Sequence, residues 1–422
     1  MRLNVTSEIG RLKSVLVHLP GREIDLMVPP MMAQLLFDDI LYGQVAREEH
    51  RRFQQLIRFV ADDVLDLQDL LEEVLEDEDV KDHIIRDLGK RNRLKRKLIG
   101  TLLDTPPAAL AEVLISGIAR ETESGELPQF DLYPIPNLFF MRDPQVVIGD
   151  RVVVSAMATQ ARRRESLLSK YVFENHPHFK REEPFWVDFM ESEPERPMPR
   201  NMPTIEGGDI LIPRRDLILV GITERTNKAG VEALLTSLRV AKAGITTAIV
   251  VDIPRQRSFM HLDTIFTFIN RHECLLYPPV LLPSGSQAAK VTMVDLTKKR
   301  GFDYSPQKSL LAALKKQDFD LEPIYCGGKS AIDQQREQWT DGANAFALAP
   351  GIILLYERNV RTAEALAKVG YHIVYEDDLL LGRTELETWT DKKYALQIAG
   401  NELSRARGGP RCMTMPLERE EL

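Results

Sequence analysis

Five residues spread along a 422-residue chain hold most of its chemical potential: Asp143, Glu206, His261, Asp263 and Cys412. Cys412 lies near the C-terminus, in the run Arg405-Ala406-Arg407-Gly408-Gly409-Pro410-Arg411-Cys412. The thiolate is the nucleophilic form of cysteine, and three neighbouring arginines predict that it is favoured here. Gly408 and Gly409 allow that loop to turn tightly or to move. The alternative is a small apolar residue beside a solvated basic tail. His261 and Asp263 form a His-x-Asp pair; read as a strand, the period of two puts both on one face, opposite Met260 and Leu262. Glu206 precedes Gly207-Gly208, where missing side chains let another group come close. Asp143 stands between Arg142 and Pro144, and the proline fixes the chain direction there.

Metal binding fits this set poorly. One histidine and one cysteine at unrelated spacing match no zinc pattern, and a thiolate is a poor partner for magnesium or calcium. His176-Pro177-His178 reads as a surface loop. The expectation is therefore no metal and no cofactor. Clustered carboxylates point instead to a cationic substrate. A guanidinium presents five N–H donors in a rigid fork that carboxylates bind in pairs. Its carbon is a weak electrophile because its charge is delocalised. Carboxylates on both sides would localise that charge and hold the carbon against a thiolate. The bound cation would in turn lower the thiol pKa.

The composition suits a soluble globular protein, with 44% hydrophobic and 28% charged residues. A net charge of −8 argues against nucleic acid or an anionic membrane as a partner. Cys274, Cys326 and Cys412 form no CxxC pair, which fits a reducing cytoplasm. The N-terminus shows no apolar signal-peptide core, and no apolar run is long enough to span a bilayer.

These residues need elements to carry them. Residues 11–19 read as a strand ended by Pro20-Gly21. Asp38-Asp39 reads as a ligand site or as a solvated turn, and on its own the turn is favoured. From 44 to 120 strand signals vanish, and apolar residues such as Phe53, Leu56, Ile57 and Val60 recur at helical spacing. Residues 62–82 are acidic and 86–97 basic, which suggests the solvated faces of a helical bundle; no aromatics interleave as a nucleic-acid surface would want. Beyond residue 128 four stretches share one plan: a polar cluster, a strand, a tight turn and a second strand. Their strands are Gln145–Ile148 with Val152–Val154, Ile210–Ile212 with Leu217–Val220, Thr264–Ile269 with Cys274–Tyr277, and Ala345–Ala349 with Ile352–Tyr356. Three run on into helices, and two of those return to a strand. The unit is ββαβ, and its repetition predicts a closed pseudo-symmetric ring with one polar cluster per unit near its axis. The N-terminal strand and C-terminal tail would complete it. The expected organisation is a catalytic α/β unit from 1–43 and 121–422, with a helical insertion at 44–120.

Asn137-x-x-Phe140-x-Arg142-Asp143-Pro144, Ile205-Glu206-Gly207-Gly208-Asp209, Met260-His261-Leu262-Asp263-Thr264 and Arg407-Gly408-Gly409-Pro410-Arg411-Cys412-Met413 together resemble the arginine deiminases, of the guanidino-group-modifying superfamily. Leu36-Phe37-Asp38-Asp39-Ile40, Glu224-Arg225-Thr226 and Gly342-Ala343-Asn344-Ala345 extend the resemblance over nearly the whole chain. Met141 and Thr414 depart from the commoner family wording without removing a catalytic group. The resemblance implies a five-bladed α/β propeller with a helical insertion, acting on free L-arginine to give citrulline and ammonia. It implies that Cys412 attacks the guanidinium carbon, that His261 serves as acid and base, that Asp143 and Asp263 grip the guanidinium, and that Glu206 orients His261. Arg162 and Arg225 would bind the substrate carboxylate and Asn137 and Phe140 would line the pocket. Arg407 would pair with the aspartates and swing away on binding. A homo-oligomer docked through the helical insertion is a further expectation. Amidinotransferases and methylarginine hydrolases share the same core chemistry; the Arg162/Arg225 pair and the insertion favour a deiminase. A catalytically silent arginine-binding protein would lack Cys412 or His261.

Overall fold

The structure is a computed structural model that describes residues 2–123, 126–190, 202–298, 301–388 and 390–422. One strand pattern recurs in five of its sheets: an antiparallel pair whose second strand takes a third in parallel. β1 (Leu12–Val17) takes β2 (Asp63–Asp66) in parallel. A short ladder of β3 (Ile118–Ala119) and β4 (Phe130–Leu132) follows. β5 (Gln145–Ile148) pairs antiparallel with β6 (Arg151–Val154), which takes β7 (Phe185–Asp188) in parallel. β8 (Ile210–Arg214), β9 (Leu217–Ile222) and β10 (Thr247–Asp252) repeat the arrangement. So do β11 (Phe266–Asn270) and β12 (Glu273–Leu276), but their third strand comes later. β13 (Lys290–Asp295) and β14 (Asp303–Gln307) first extend the β10 edge antiparallel, and then β15 (Glu322–Tyr325) joins β12. In the next sheet β16 (Phe346–Ala349) pairs with β17 (Ile352–Tyr356), and β19 (Lys393–Ile398) lies parallel between β17 and β18 (Tyr371–Tyr375). Last, β20 (Met415–Arg419) returns antiparallel to β1. The two ends of the chain thus share one sheet.

The hairpins follow from local sequence. β-branched and aliphatic residues fill the paired strands, and Gly149 and Gly351 supply the positive φ their tight turns need, at 59° and 77°. Two expectations are corrected. The run from 44 to 120 is not strand-free. The helix Gly43–Ile57 leads into β2, and only then come the helices Leu67–Val74, Glu78–Asn92, Arg96–Leu103 and Pro107–Ser116. Phe53, Leu56 and Ile57 pack in the same core as Val15, Leu354 and Met413, so this first helix belongs with the sheets. Asp63-Val64-Leu65-Asp66 is too short to show alternation, and its partner β1 is some fifty residues away in sequence. The second correction concerns His261 and Asp263. Leu262–Thr264 forms a 3-10 turn ahead of β11, so the pair does not share a strand face. Burial of Leu262 between them aims both at the site. His176 is likewise no surface-loop residue: it is buried and meets Glu73 of the second helix at 2.9 Å. Among the described residues no helix is long and apolar enough to cross a membrane.

The start of β1's unit carries a buried charge clamp. His18 is fully buried, with Nδ1 3.3 Å from Asp66 Oδ1 and Nε2 3.3 Å from Glu23 Oε1. Burial alone would lower its pKa, but the hydrogen bonds to the two carboxylates prevail and raise it to about 10. The clamp therefore adds stability fully below the ordinary value of 6.5, and that contribution is lost as pH rises through about 10. Thermal melts from pH 6.5 to 10 should show stability falling, with a flatter profile in His18→Gln. That variant should also lose about 3–5 kcal/mol at neutral pH, the cost of breaking a buried pair. Equal pH slopes for both proteins would refute the clamp.

Candidate active site

Each of the five sheets delivers a polar residue just ahead of its first strand. Asp143 precedes β5, Glu206 and Asp209 precede β8, His261 and Asp263 precede β11, Asn344 precedes β16, and Cys412 precedes β20. Five hydrogen bonds link these leads in a cycle. Arg142 N donates to Cys412 O at 3.0 Å, and Gly207 N to Asp143 O at 3.0 Å. Leu262 N donates to Asp209 Oδ1 at 2.8 Å, and Asn344 Nδ2 to Asp263 O at 3.1 Å. Cys412 N donates to Asn344 Oδ1 at 3.0 Å, which closes the cycle. Two glycines make room for it. A Cβ on Gly208 would lie 2.7 Å from the His261 ring, and one on Gly409 would lie 2.7 Å from Asn344 Oδ1.

The cycle surrounds a cavity of about 20 Å³. Asn137, Phe140, Asp143, Arg162, Arg225, His261, Arg407 and Cys412 line it, so eight of the ten residues expected from sequence come together on its wall. Glu206 and Asp263 stand just behind, fully buried. Room for about one water cannot admit an amino acid, so the wall must shift for a ligand to enter.

The charges are paired in a definite pattern. His261 Nε2 lies 2.8 Å from Glu206 Oε2, and His261 Nδ1 lies 3.6 Å from Asp143 Oδ1. Burial opposes charge on the imidazole, but Asp143, Glu206 and Asp209 override it and raise its pKa to about 10. Glu206 is pulled the other way: burial would raise its pKa, yet the His261 hydrogen bond and Arg225 hold it well below the usual carboxylate range. His261 is thus an imidazolium at neutral pH, a proton donor in place. Asp143, Glu206 and His261 also bring ligand atoms within 4.8 Å of one another, close enough for a metal. The Arg162 guanidinium lies against them, 2.8 Å from Asp143 and 3.7 Å from Glu206. The contacts with Arg162 show that the carboxylates of this set can hold a guanidinium.

Cys412 contradicts the expectation of a pre-formed thiolate. Burial, then Asp263, Asp143 and Asp341, push its pKa well above the ordinary value. The three nearby arginines are committed elsewhere. Arg405 pairs with Asp39 and Glu402, Arg407 stacks 3.5 Å above the Trp339 ring, and Arg411 is bound between Glu8 and Asp263. Proximity in sequence did not become a field at the sulfur. Asp263 Oδ2 is 3.8 Å from Sγ and dominates it. Nor does Arg407 pair with Asp143 or Asp263: Arg162 holds Asp143 and Arg411 holds Asp263.

Around the cavity, several buried atoms are left without hydrogen-bond partners, and they differ in sign. Asp143 Oδ1 and Asp263 Oδ1 are unpartnered acceptors. Nε and Nη1 of both Arg225 and Arg407 are unpartnered donors. Buried polar atoms rarely stay unpaired, so the site is built for a ligand with a cationic end and an anionic end. Several participants were not legible in the sequence. Glu165 binds Arg162 through three hydrogen bonds of 2.8 to 3.1 Å. Asp38, read as a solvated turn, lines the cavity and pairs with Arg257 at 2.5 Å. Asn344 was signalled by the fourth repeat's polar cluster; Glu8, Glu165 and Trp339 carried no signal.

Without ligand, Cys412 should react with iodoacetamide at least about tenfold more slowly at pH 7 than an ordinary thiol of pKa about 8.5. The rate should still be climbing beyond pH 9. A plateau below pH 7 would show that the thiolate is pre-formed.

The chain was compared with known families, sequences and structures. The arginine deiminase family model matches residues 33–419. An arginine deiminase of Clostridium perfringens is 36% identical, across 100% of this chain and 98% of that protein. One of Staphylococcus epidermidis is 34% identical, across 100% and 99%. Among solved structures, an amidinotransferase from Microseira wollei superposes with a TM-score of 0.53 at 14% identity, covering 100% of this chain and 98% of its own. The dimethylarginine dimethylaminohydrolase of Pseudomonas aeruginosa gives 0.50 at 14% identity, covering 96% and 99%. Those structures share the α/β fold. The polar set at the heads of the sheets and a match along nearly the full length lead to one assignment: the chain belongs to the arginine deiminase family.

Proposed function

We propose that the unpartnered groups of the cavity divide one arginine molecule between them. The reaction is the hydrolysis of L-arginine to citrulline and ammonia. The observation that carries the reading is that acceptors without hydrogen-bond partners, Asp143 Oδ1 and Asp263 Oδ1, and donors without them, on Arg225 and Arg407, occur at one cavity. The substrate guanidinium takes the aspartates, displacing the Arg162 guanidinium from Asp143. Arg162, so released, and Arg225 bind the substrate carboxylate, with Asn137 and Phe140 along the stem. Arg407 moves off Trp339 to let the substrate pass.

The substrate's positive charge offsets Asp263 and Asp143, the groups that keep Cys412 protonated, so the thiol loses its proton to water as the site fills. The thiolate forms an S–C bond to the guanidinium carbon. His261 gives a proton to the departing nitrogen, the C–N bond breaks, and ammonia leaves a thiouronium-type intermediate on Cys412. A water molecule then adds to the same carbon, one of its protons passes to His261, and the C–S bond breaks with its electron pair on sulfur, which takes up the remaining hydroxyl proton as citrulline leaves. Acid–base assistance of this kind is worth about 10²–10⁴ in rate.

Two coarser features belong to the same proposal. The five sheets of one topology, tied head to head by the hydrogen-bond cycle, support a five-bladed propeller, with the helices from Leu67 to Ser116 as an insertion. Three buried free cysteines support a reducing, cytoplasmic setting.

Incubation with L-arginine should yield citrulline and ammonia in equal amounts. Cys412→Ala should lower turnover by at least about 10³-fold, as expected of a lost covalent nucleophile. Denatured His261→Ala quenched with arginine should carry an adduct on the Cys412 peptide by mass spectrometry. No citrulline from the native chain would refute the reading.

A further inference from the structure

Glu8 sits in the N-terminal segment, far in sequence from every group named above, yet it makes the outer half of a buried charge chain that ends at the nucleophile. Arg411 donates Nε to Glu8 Oε2 and Nη2 to Glu8 Oε1, both at 3.1 Å. The same guanidinium donates Nη1 to Asp263 Oδ2 at 2.8 Å, and Asp263 Oδ2 lies 3.8 Å from Cys412 Sγ. The chain is buried: the side chains of Glu8, Arg411 and Asp263 are 10%, 2% and 0% exposed. Ile212 N donates to Glu8 Oε1 at 2.9 Å, which fixes the carboxylate against β8.

The charge balance of this chain is what the site uses. Arg411 alone against Asp263 would be a neutral pair, with little attraction left for an incoming cation. Glu8 takes two of the five guanidinium donors and supplies a second carboxylate, so the triad keeps one net negative charge. Two other buried guanidiniums, Arg142 and Arg419, also act on this cluster, and Glu8 is a counter-charge for both. Without Glu8, Arg411 and Arg142 would bear on Asp263 with no second carboxylate to share them, and Arg419 would lose its counter-charge. We propose that Glu8 is a positioning residue for the reaction: by holding and offsetting Arg411, it leaves Asp263 Oδ1 free and negative enough to grip the substrate guanidinium. The inference rests on the reading that Asp263 takes that guanidinium.

The sulfur reports on the same balance. It is faced by Asp263, Asp143, Asp341 and Tyr356, while Asp263 is faced by Arg411 and Arg142. Removing the Glu8 charge weakens the negative field of Asp263 at both the substrate and the thiol. The effects are opposite in appearance: poorer substrate binding but an easier deprotonation of Cys412.

The test is Glu8→Gln. The KM for arginine should rise by about tenfold, with a smaller change in kcat, in line with the loss of one charge-assisted contact. In the same variant the pH profile of Cys412 alkylation by iodoacetamide should move to lower pH. A residue that only supports the fold would reduce the active fraction and leave both KM and that profile in place; this result would overturn the proposal. If Glu8→Gln alone does not fold, Glu8→Asp carries the test: it keeps the charge but shortens its reach to Arg411. Its KM should rise by a smaller factor and its alkylation profile should move by a smaller step to lower pH, and an unchanged KM and profile in that variant would overturn the proposal. Inactivity of the native chain on arginine would instead strike at the reading of the reaction.

Discussion

The structure depends on a cycle of five hydrogen bonds around the site. Each bond joins the lead of one sheet's first strand to the next, from Cys412 through Asp143, Gly207, Asp209, Leu262, Asp263 and Asn344 back to Cys412. The donors and acceptors are backbone groups and short, fully buried Asp and Asn side chains, so the cycle has little freedom to deform. It forces five polar segments from distant parts of the chain onto one small space. Since β20 pairs with β1, the nucleophile at the chain's end is held by the strand at its beginning.

Such a cycle concentrates charge, and the chemistry is the resolution of that crowding. Asp143, Glu206, Asp209, Asp263 and Asp341 are all buried around one histidine and one thiol. Burying so many carboxylates together is costly without counter-charges. Arg162 and Arg411 supply part of the balance and His261 supplies another part by taking up a proton. Asp143 Oδ1, Asp263 Oδ1 and Asp341 Oδ2 are left without a hydrogen-bond partner, and a cation can satisfy such oxygens. The high pKa of Cys412 follows from the same crowding. On the proposed mechanism, a thiol that ionises only when the guanidinium arrives would tie reactivity to substrate.

The glycines and the left-handed loop show how little slack the arrangement has. Gly208 lies against His261 and Gly409 against Asn344, each too close for a Cβ. Arg407 is held at φ 66°, a conformation costly for a residue with a side chain, and its guanidinium is kept in place by Trp339 and the carbonyl of Arg257. That strain sits on the wall a substrate must move.

Much of this was legible in the chain itself. Strand pairs such as Gln145–Ile148 with its glycine turn are local features, set by β-branched residues and by positive φ, and they recur where the repeat placed them. The catalytic types were legible too, because a polar residue ahead of an apolar strand in each repeat is a local signal. Other features were decided by tertiary structure alone. The ionisation of Cys412 depends on which arginines reach it through space, and Arg405, Arg407 and Arg411 all turn to other partners. β2 was invisible because a four-residue strand gains its stability from a partner about fifty residues away. His261 and Asp263 face the site through a turn and a buried Leu262, not through strand alternation. Glu8, Glu165 and Trp339 act by contacts that no spacing encodes. Residue types and local periodicity determine what chemistry is available; only long-range packing decides where each charge is spent.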